Sequence, residues 1–353
     1  YTFTARAINN SGFGSANVTV QVTPKVQGKV TTVGPPQTGD LESYGVGQLP
    51  DGRLILGGGF DRATNTASVK VHAWDTAGSG WQSHSQLAKG KMHLTFLSVG
   101  SGGMLSSSGY QGSGANGGPR SEYFDGSQWT YLDSGPSNSA PGQSLTRLKD
   151  GWVMAAGDAT AASWLFVPTS RSWMTGGQIP LSRFQSALVG LSDGRALIAG
   201  GGTGYFGTTG DKASFIWTPA NAAWTRVADM NFSRLGASAV ELEDGRVLVA
   251  GGSGDTWEIY VPAGDFWIPF SSGTPCSGTG TGALAGSQLV RLPNGNVAGP
   301  NRIFRPATND TVALPASGGS YPFVVSGTKL AWLPEGILWD LVPEVTARSL
   351  TGV

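Results

Sequence analysis

An Asp-Gly pair, a glycine doublet a few residues on and then a spaced Trp return about every 50 residues along this 353-residue chain. The clearest copies run Leu49-Pro50-Asp51-Gly52-Arg53 to Gly57-Gly58-Gly59, Leu191-Ser192-Asp193-Gly194-Arg195 to Gly200-Gly201, and Leu242-Glu243-Asp244-Gly245-Arg246 to Gly251-Gly252. Three weaker copies fill the gaps, around Gly102-Gly103, Asp150-Gly151 and Asn294-Gly295. The residue before each turn glycine sits at 51, 101, 150, 193, 244 and 294, giving spacings of 50, 49, 43, 51 and 50. A period of this size makes the chain a tandem array of small units, none of which can bury its apolar face alone.

Each copy reads as four short antiparallel strands. Asp-Gly or Asn-Gly predicts a two-residue hairpin in which both central positions take positive φ. The runs that follow, such as Arg53-Leu54-Ile55-Leu56 and Arg246-Val247-Leu248-Val249, are short and apolar, as buried strands are. Glycine doublets end them where a side chain would block a neighbouring backbone. A third strand carries an aromatic before the spaced Trp, as in Trp217 before Trp224, Tyr260 before Trp267, Phe166 before Trp173, Trp74 before Trp81 and Phe124 before Trp129. Five Trp at equivalent places predict a packing role between repeats.

Taken in order, the Asp-Gly turn, the doublet and the aromatic with its spaced Trp resemble the kelch repeat, over about residues 41–320. The second copy departs in lacking the turn Asp and full doublet, and the sixth in lacking the Trp. The resemblance implies an all-β propeller. Six copies plus the apolar pieces Phe323-Val324-Val325, Leu330–Leu333, Ile337–Leu341 and Val345–Arg348 favour seven blades, with six as the alternative. The tail forms the last blade by itself, or Gly28–Val33 supplies its outer strand. Either way the ring has to close, because an open one leaves exposed sheet edges.

Residues 1–24 alternate as two strands around a polar turn and resemble the last hairpin of a fibronectin type III domain, with Tyr1 at the place of that family's corner tyrosine. Two strands alone are marginally stable, so the chain is expected to begin inside a longer polypeptide. Residues 25–40 then read as a linker or a ring-closing strand, and 41–353 as the propeller.

A domain with 55 Gly and 13% charged residues has a loop-rich surface of low charge, which fits an extracellular, cell-surface or virion setting such as a phage tail. With 23 basic and 23 acidic residues there is no general pull toward nucleic acid. No apolar run approaches the roughly 20 residues a bilayer span needs. The single Cys276 excludes an intrachain disulfide.

Catalytic signals are sparse. His72, His84 and His93 are the only histidines, and no second cluster completes a metal shell. A kelch-type propeller such as galactose oxidase builds a copper site from two His and two Tyr, one of them cross-linked to Cys. Here no His follows His93, and Cys276 lies in Thr274-Pro275-Cys276-Ser277-Gly278. No sialidase-type Arg triad is recognisable either. The expectation is a protein without enzymatic activity, cofactor or metal.

Recognition has the stronger case. Ten residues before the turn position lie Lys91, Arg183 and Arg234, expected to circle the central mouth. The loops between second and third strands supply Asp61, Asp158, Asp211 and Asp255, with Phe60, Tyr110, Tyr205, Phe206 and Trp257. These groups describe a polar, aromatic-rimmed funnel for a glycan or an anionic peptide. Alternatively the acids and bases neutralise one another and hold the blades in register. The expected role is attachment through one propeller face, to a glycan or protein ligand or to other chains of a surface assembly; a purely architectural propeller and a glycan-active enzyme are the alternatives.

Overall fold

The computed structural model describes residues 28–32, 41–78, 80–107, 121–136, 143–157, 160–203, 209–252, 256–270, 288–300, 302–314, 321–326, 329–333 and 337–341. Residues 1–24, where a fibronectin-like hairpin was expected, lie outside them, as do Tyr110, Asp158, Tyr205, Phe206, Asp255 and Cys276.

Seven four-stranded antiparallel sheets follow one another along the chain, the blades of a β-propeller. Blade 1 is Gly45–Gln48, Leu54–Gly57, Val71–Asp75 and Gly80–Ser83. Blade 2 is Thr95–Val99, Gly103–Ser107, Glu122–Phe124 and Trp129–Tyr131. Blade 3 is Ser144–Arg147, Val153–Ala156, Ala162–Val167 and Ser172–Gln178. Blade 4 is Ala187–Gly190, Ala196–Ala199, Ser214–Thr218 and Ala223–Val227. Blade 5 is Ser238–Glu241, Val247–Ala250, Trp257–Val261 and Phe266–Phe270. Blade 6 is Val290–Arg291, Val297–Ala298, Arg302–Arg305 and Asp310–Ala313. There is no α-helix among the described residues.

Blade 7 joins the two ends of the described chain. Tyr321–Ser326, Lys329–Leu333 and Ile337–Leu341 are its first three strands. Gly28–Thr32 is the fourth, paired antiparallel from Gly28 opposite Leu341 to Thr32 opposite Ile337. Residues 345–348, expected as that outer strand, lie outside the described residues. Covering the edge of Ile337–Leu341 with a strand from the other end of the sequence leaves the last blade no free ladder there, and locks the ring.

The turns correct one expectation. Leu49 N–H donates to the Arg53 carbonyl at 2.8 Å and Gly52 N–H to the Leu49 carbonyl at 2.9 Å, so the loop has three residues, not two. The same pair of bonds recurs at Leu148, Leu191, Leu242 and Leu292. Only the glycine is left-handed, with φ of 90° at Gly52, 96° at Gly194 and 82° at Gly245. This is a type I turn closed by a left-handed residue. The Asp acts through its side chain instead. Asp193 Oδ1 accepts Arg195 N–H at 2.9 Å and Oδ2 accepts Arg195 Nε at 2.8 Å, and Asp51–Arg53 and Asp244–Arg246 repeat this. Blade 2, without the Asp, turns through a short 3-10 segment, Gly100–Gly102.

The core is divided by the ring. Buried apolar side chains fall into seven clusters, each shared by two adjacent blades. The cluster that seals the ring packs Leu54 and Trp74 of blade 1 on Phe323, Ala331, Leu333 and Leu338 of blade 7. The spaced Trp sits opposite the third-strand aromatic in five blades: Trp74 and Trp81, Phe124 and Trp129, Phe166 and Trp173, Trp217 and Trp224, Tyr260 and Trp267. Two of them reach back to the preceding blade, Trp224 Nε1 donating to Ser163 Oγ at 2.9 Å and Trp267 Nε1 to the Ala228 carbonyl at 2.8 Å. In blade 6 the place opposite Phe304 holds Thr311.

Candidate functional site

The first strands of successive blades lie against one another around the axis and run in one direction. Their starting ends therefore gather at one mouth. Four of the residues two places before these strands share a left-handed backbone: Ser43 (φ 54°), His93 (59°), Gln185 (53°) and Gly236 (77°). Three of the four are not glycine, and non-glycine residues enter this region at a cost. Backbone bonds join neighbours in this ring. His93 N–H donates to the Ser43 carbonyl at 2.6 Å, and Gly236 N–H to the Gln185 carbonyl at 2.8 Å.

Behind the ring lies an axial cavity of about 320 Å³, bordered at the mouth by Tyr44, Gln143, Gln185, Ser186, Gln288 and Tyr321. Its deeper wall is apolar, with Val46, Leu97, Leu145, Leu188 and Ala239. Among the described residues the only charged one on its lining is Arg147, at the far end of its strand, where Nη2 bonds to the Ser98 carbonyl. The opposite end of the axis differs. A second cavity of about 490 Å³, which shares Val46, Phe96, Leu97 and Gln288 with the first, is lined toward the finishing ends of the inner strands by Gln48, Ser98, Glu243 and Arg291. One mouth thus offers amides, hydroxyls and phenol rings, and the other offers charge.

Of the residues singled out from sequence, the three cations lie inside the blades rather than on a rim. Lys91 is fully buried, its Nζ 3.1 Å from Glu122 Oε1. Arg234 is fully buried, its Nη2 3.1 Å from Glu258 Oε1 and its Nη1 on the carbonyls of Gly251 and Thr256. Both carboxylates also accept backbone N–H groups from the loop before the cation: Ala88 and Lys89 on Glu122, Asn231 and Phe232 on Glu258. Arg183 has no such partner among the described residues. The place of Glu258, opposite Val249, is taken in blade 4 by Phe215, opposite Ile198. The Arg183 guanidinium lies 4.8 Å from the Phe215 ring centre, with Nη1 on the carbonyls of Gly200 and Ala213. Burial pushes its pKa down, and Asp211 partly opposes that.

The backbone of these cations also binds the preceding blade's glycine doublet. Gly59 N–H donates to the Lys91 carbonyl and Gly201 N–H to the Arg234 carbonyl. A Cβ on Gly58 would come 2.7 Å from the Lys91 carbonyl oxygen, which is why that position stays bare. Asp211 meets Arg234 through backbone, its carbonyl accepting Arg234 N–H at 3.0 Å. Asp61 caps its own turn through Ala63 and Thr64, and Phe60 pairs with Ala67 in a small accessory sheet. Trp257, expected on the rim, is 2% exposed and stacked on Phe270 at 3.9 Å. His72 lies in the third strand of blade 1, His84 follows its fourth strand, and His93 is in the mouth ring.

The mouth residues escaped the sequence reading, although a signal exists. Tyr44, Gln143, Gln185 and Gln288 stand six to eight positions before the turn Asp or Asn, whereas ten positions lead to the buried cations.

No protein-family model matches the chain, and no curated protein matches it. Solved structures do. A fungal alcohol oxidase of the AA5 family in complex with copper superposes with a TM-score of 0.57 at 18% identity, over 86% of this chain and 63% of its own. The chain thus spans less than two thirds of that oxidase. The protein YjhT superposes with a TM-score of 0.51 at 13% identity, over 66% of this chain and 85% of its own. At these identities the likeness is one of fold.

The expectation of a protein without enzymatic activity is overturned by the first likeness. The ring into which most of this chain folds is one on which an alcohol oxidase is built, so a propeller lacking a recognised motif gives no ground to set catalysis aside. Copper itself does not fit the donors at the mouth. Among the described residues no group of three or more His, Cys, Asp or Glu could hold a metal. The described polar side chains that line the mouth are amides, hydroxyls and the phenols of Tyr44 and Tyr321, and two phenols without a pair of imidazoles beside them do not complete the copper set named above.

Proposed function

We propose that this kelch-like propeller recognises a neutral carbohydrate at the amide-lined mouth of its axis, as part of an exported or virion surface protein. The observation that carries this reading is the set of uncharged polar side chains that the described residues place at that mouth, where Gln143, Gln185, Gln288, Ser186, Tyr44 and Tyr321 surround a cavity of about 320 Å³. An amide offers both donors and an acceptor, so it can serve vicinal hydroxyls without the desolvation cost of a charge. Phenol rings offer flat apolar surface at low entropy cost. An anionic peptide loses its support, because Lys91, Arg183 and Arg234 are buried. The low-charge composition supports the exported setting.

The full chain on a glycan array tests the reading, beside Tyr44→Ala and Gln288→Ala. Neutral glycans bound by the wild type and lost on both variants support it. Binding only to sialylated or sulfated glycans, or binding that both variants retain, refutes it.

A second reading, an enzyme acting on an alcohol of the bound sugar, is favoured by the likeness to an alcohol oxidase. Aldehyde formed from an array-positive glycan, with and without added copper, tests it.

A further inference from the structure

Below the amides of the mouth, the axis is walled by apolar side chains that keep part of their surface open. Val46, Leu97, Leu145 and Ala239 belong to the innermost strands of blades 1, 2, 3 and 5, line the cavity of about 320 Å³ and are only partly buried. Val290 and Val324, of blades 6 and 7, are also partly buried and line the second cavity of about 490 Å³, which Val46, Leu97 and Gln288 share with the first. Apolar surface thus continues from the amide mouth down the axis until Gln48, Glu243 and Arg291 bring in polar and charged groups. Both cavities are of the size that takes a small molecule.

The backbone of the wall is partly withdrawn from the axis as well. A strand with a partner on one side only leaves backbone groups unpaired on its other side, and the first strand of each blade is such an edge. Neighbouring blades take up several of these groups. Gln48 Nε2 donates to the Val324 carbonyl at 3.0 Å and Ser144 Oγ to the Ser186 carbonyl at 2.7 Å. Gly190 N–H donates to Thr146 Oγ1 at 2.8 Å and Leu289 N–H to Ser238 Oγ at 3.1 Å. The hydroxyls of Ser144, Thr146 and Ser238, which line the first cavity, are therefore already engaged across the seams.

We propose that the ligand of this axis is a neutral glycoside with an aliphatic aglycone, its sugar among the amides and its chain running down the axis between Val46, Leu97, Leu145, Ala239, Val290 and Val324. This rests on the reading of the mouth as a carbohydrate site. A sugar alone leaves the apolar wall facing water, whereas a chain covers it, and the gain grows with the area covered. The useful length of the chain is bounded. A four-residue inner strand such as Gly45–Gln48 spans about 13 Å, and past its end a methylene meets Gln48, Glu243 and Arg291.

Methyl, butyl, hexyl and octyl β-glucosides and β-galactosides, each below its micellar concentration, are titrated into the full chain by calorimetry. Affinity should rise by up to about fourfold for each added methylene and then level off, with a heat-capacity change that grows more negative over the same range. Ala239→Gln should flatten the rise while the methyl glycoside binds as before. Val46→Thr, nearly isosteric and the safer change for the fold, should weaken the rise in the same way. Equal affinity at every chain length, or a rise that both variants retain, overturns the aliphatic site and leaves the mouth standing. Binding of 1-hexanol as tight as that of the hexyl glycosides overturns the sugar's part in the site, and with it the glycoside. If no glycoside binds, both readings fall together.

Discussion

At the residue scale the chain repeats a small set of local contracts, and the places where one is broken say most. Asp51, Asp193 and Asp244 each hold the Arg two positions on, through backbone and guanidinium alike. Lys91 and Arg234 each meet a buried carboxylate; Arg183 meets a phenyl ring. Removing one partner of a buried pair strands the other charge, so Arg234→Met should cost about 3–5 kcal/mol. Arg183→Met strands no ion-paired carboxylate among the described residues and should cost less, about 1–2 kcal/mol for the carbonyls it leaves. Denaturant midpoints of the two variants check this; equal losses would contradict it. The glycines and turn acids of these contracts were legible in the sequence. Only one half of each buried pair was, because Glu122 and Glu258 lie in third strands, with no spacing rule tying them to the cation.

At the scale of the element, a blade is stable only against its neighbours. The Trp that recurs in five blades is read correctly from sequence as a packing residue, because its spacing from the third-strand aromatic sets a cross-strand pair. The turn type was misread: a three-residue loop and a two-residue one share the Asp-Gly signature, and the side-chain bonds of the Asp select the longer. Blade 1 also carries two histidines, both with pKa values below the ordinary range. Burial lowers His72, with Lys70 adding to it, and burial lowers His84, with Arg53 adding to it. His84 packs on Phe124 of blade 2 and its Nδ1 is 3.2 Å from Ser85 Oγ. A histidine held below its unfolded value of 6.5 stabilises the fold fully above that pH, and the benefit is lost as pH falls toward the folded value. The melting temperature should therefore drop as pH is lowered through about 6.5. His72→Gln with His84→Gln should flatten that slope; an unchanged slope would contradict it.

At the scale of the whole molecule, closure links the beginning of the described chain to its end. Gly28–Thr32 covers Ile337–Leu341, and Leu54 and Trp74 pack across the same seam. Deleting residues 1–33 should leave that edge open, lower the melting temperature and produce concentration-dependent association, read by light scattering. A variant as stable and monomeric as the parent would contradict the role of that strand. The ring was foreseen because its period is long and strong. The mouth was not: whether a residue faces the axis depends on how seven blades converge, and Gln143 and Ser186 come together only through that convergence.

Hydrogen exchange of the full chain with and without an array-selected neutral glycan tests the central claim most directly. Recognition at the axial mouth predicts protection at the starts of the inner strands, around residues 43–47, 143–146, 185–189 and 236–239. Protection confined to the outer strands, such as Ser172–Gln178 and Phe266–Phe270, would contradict it.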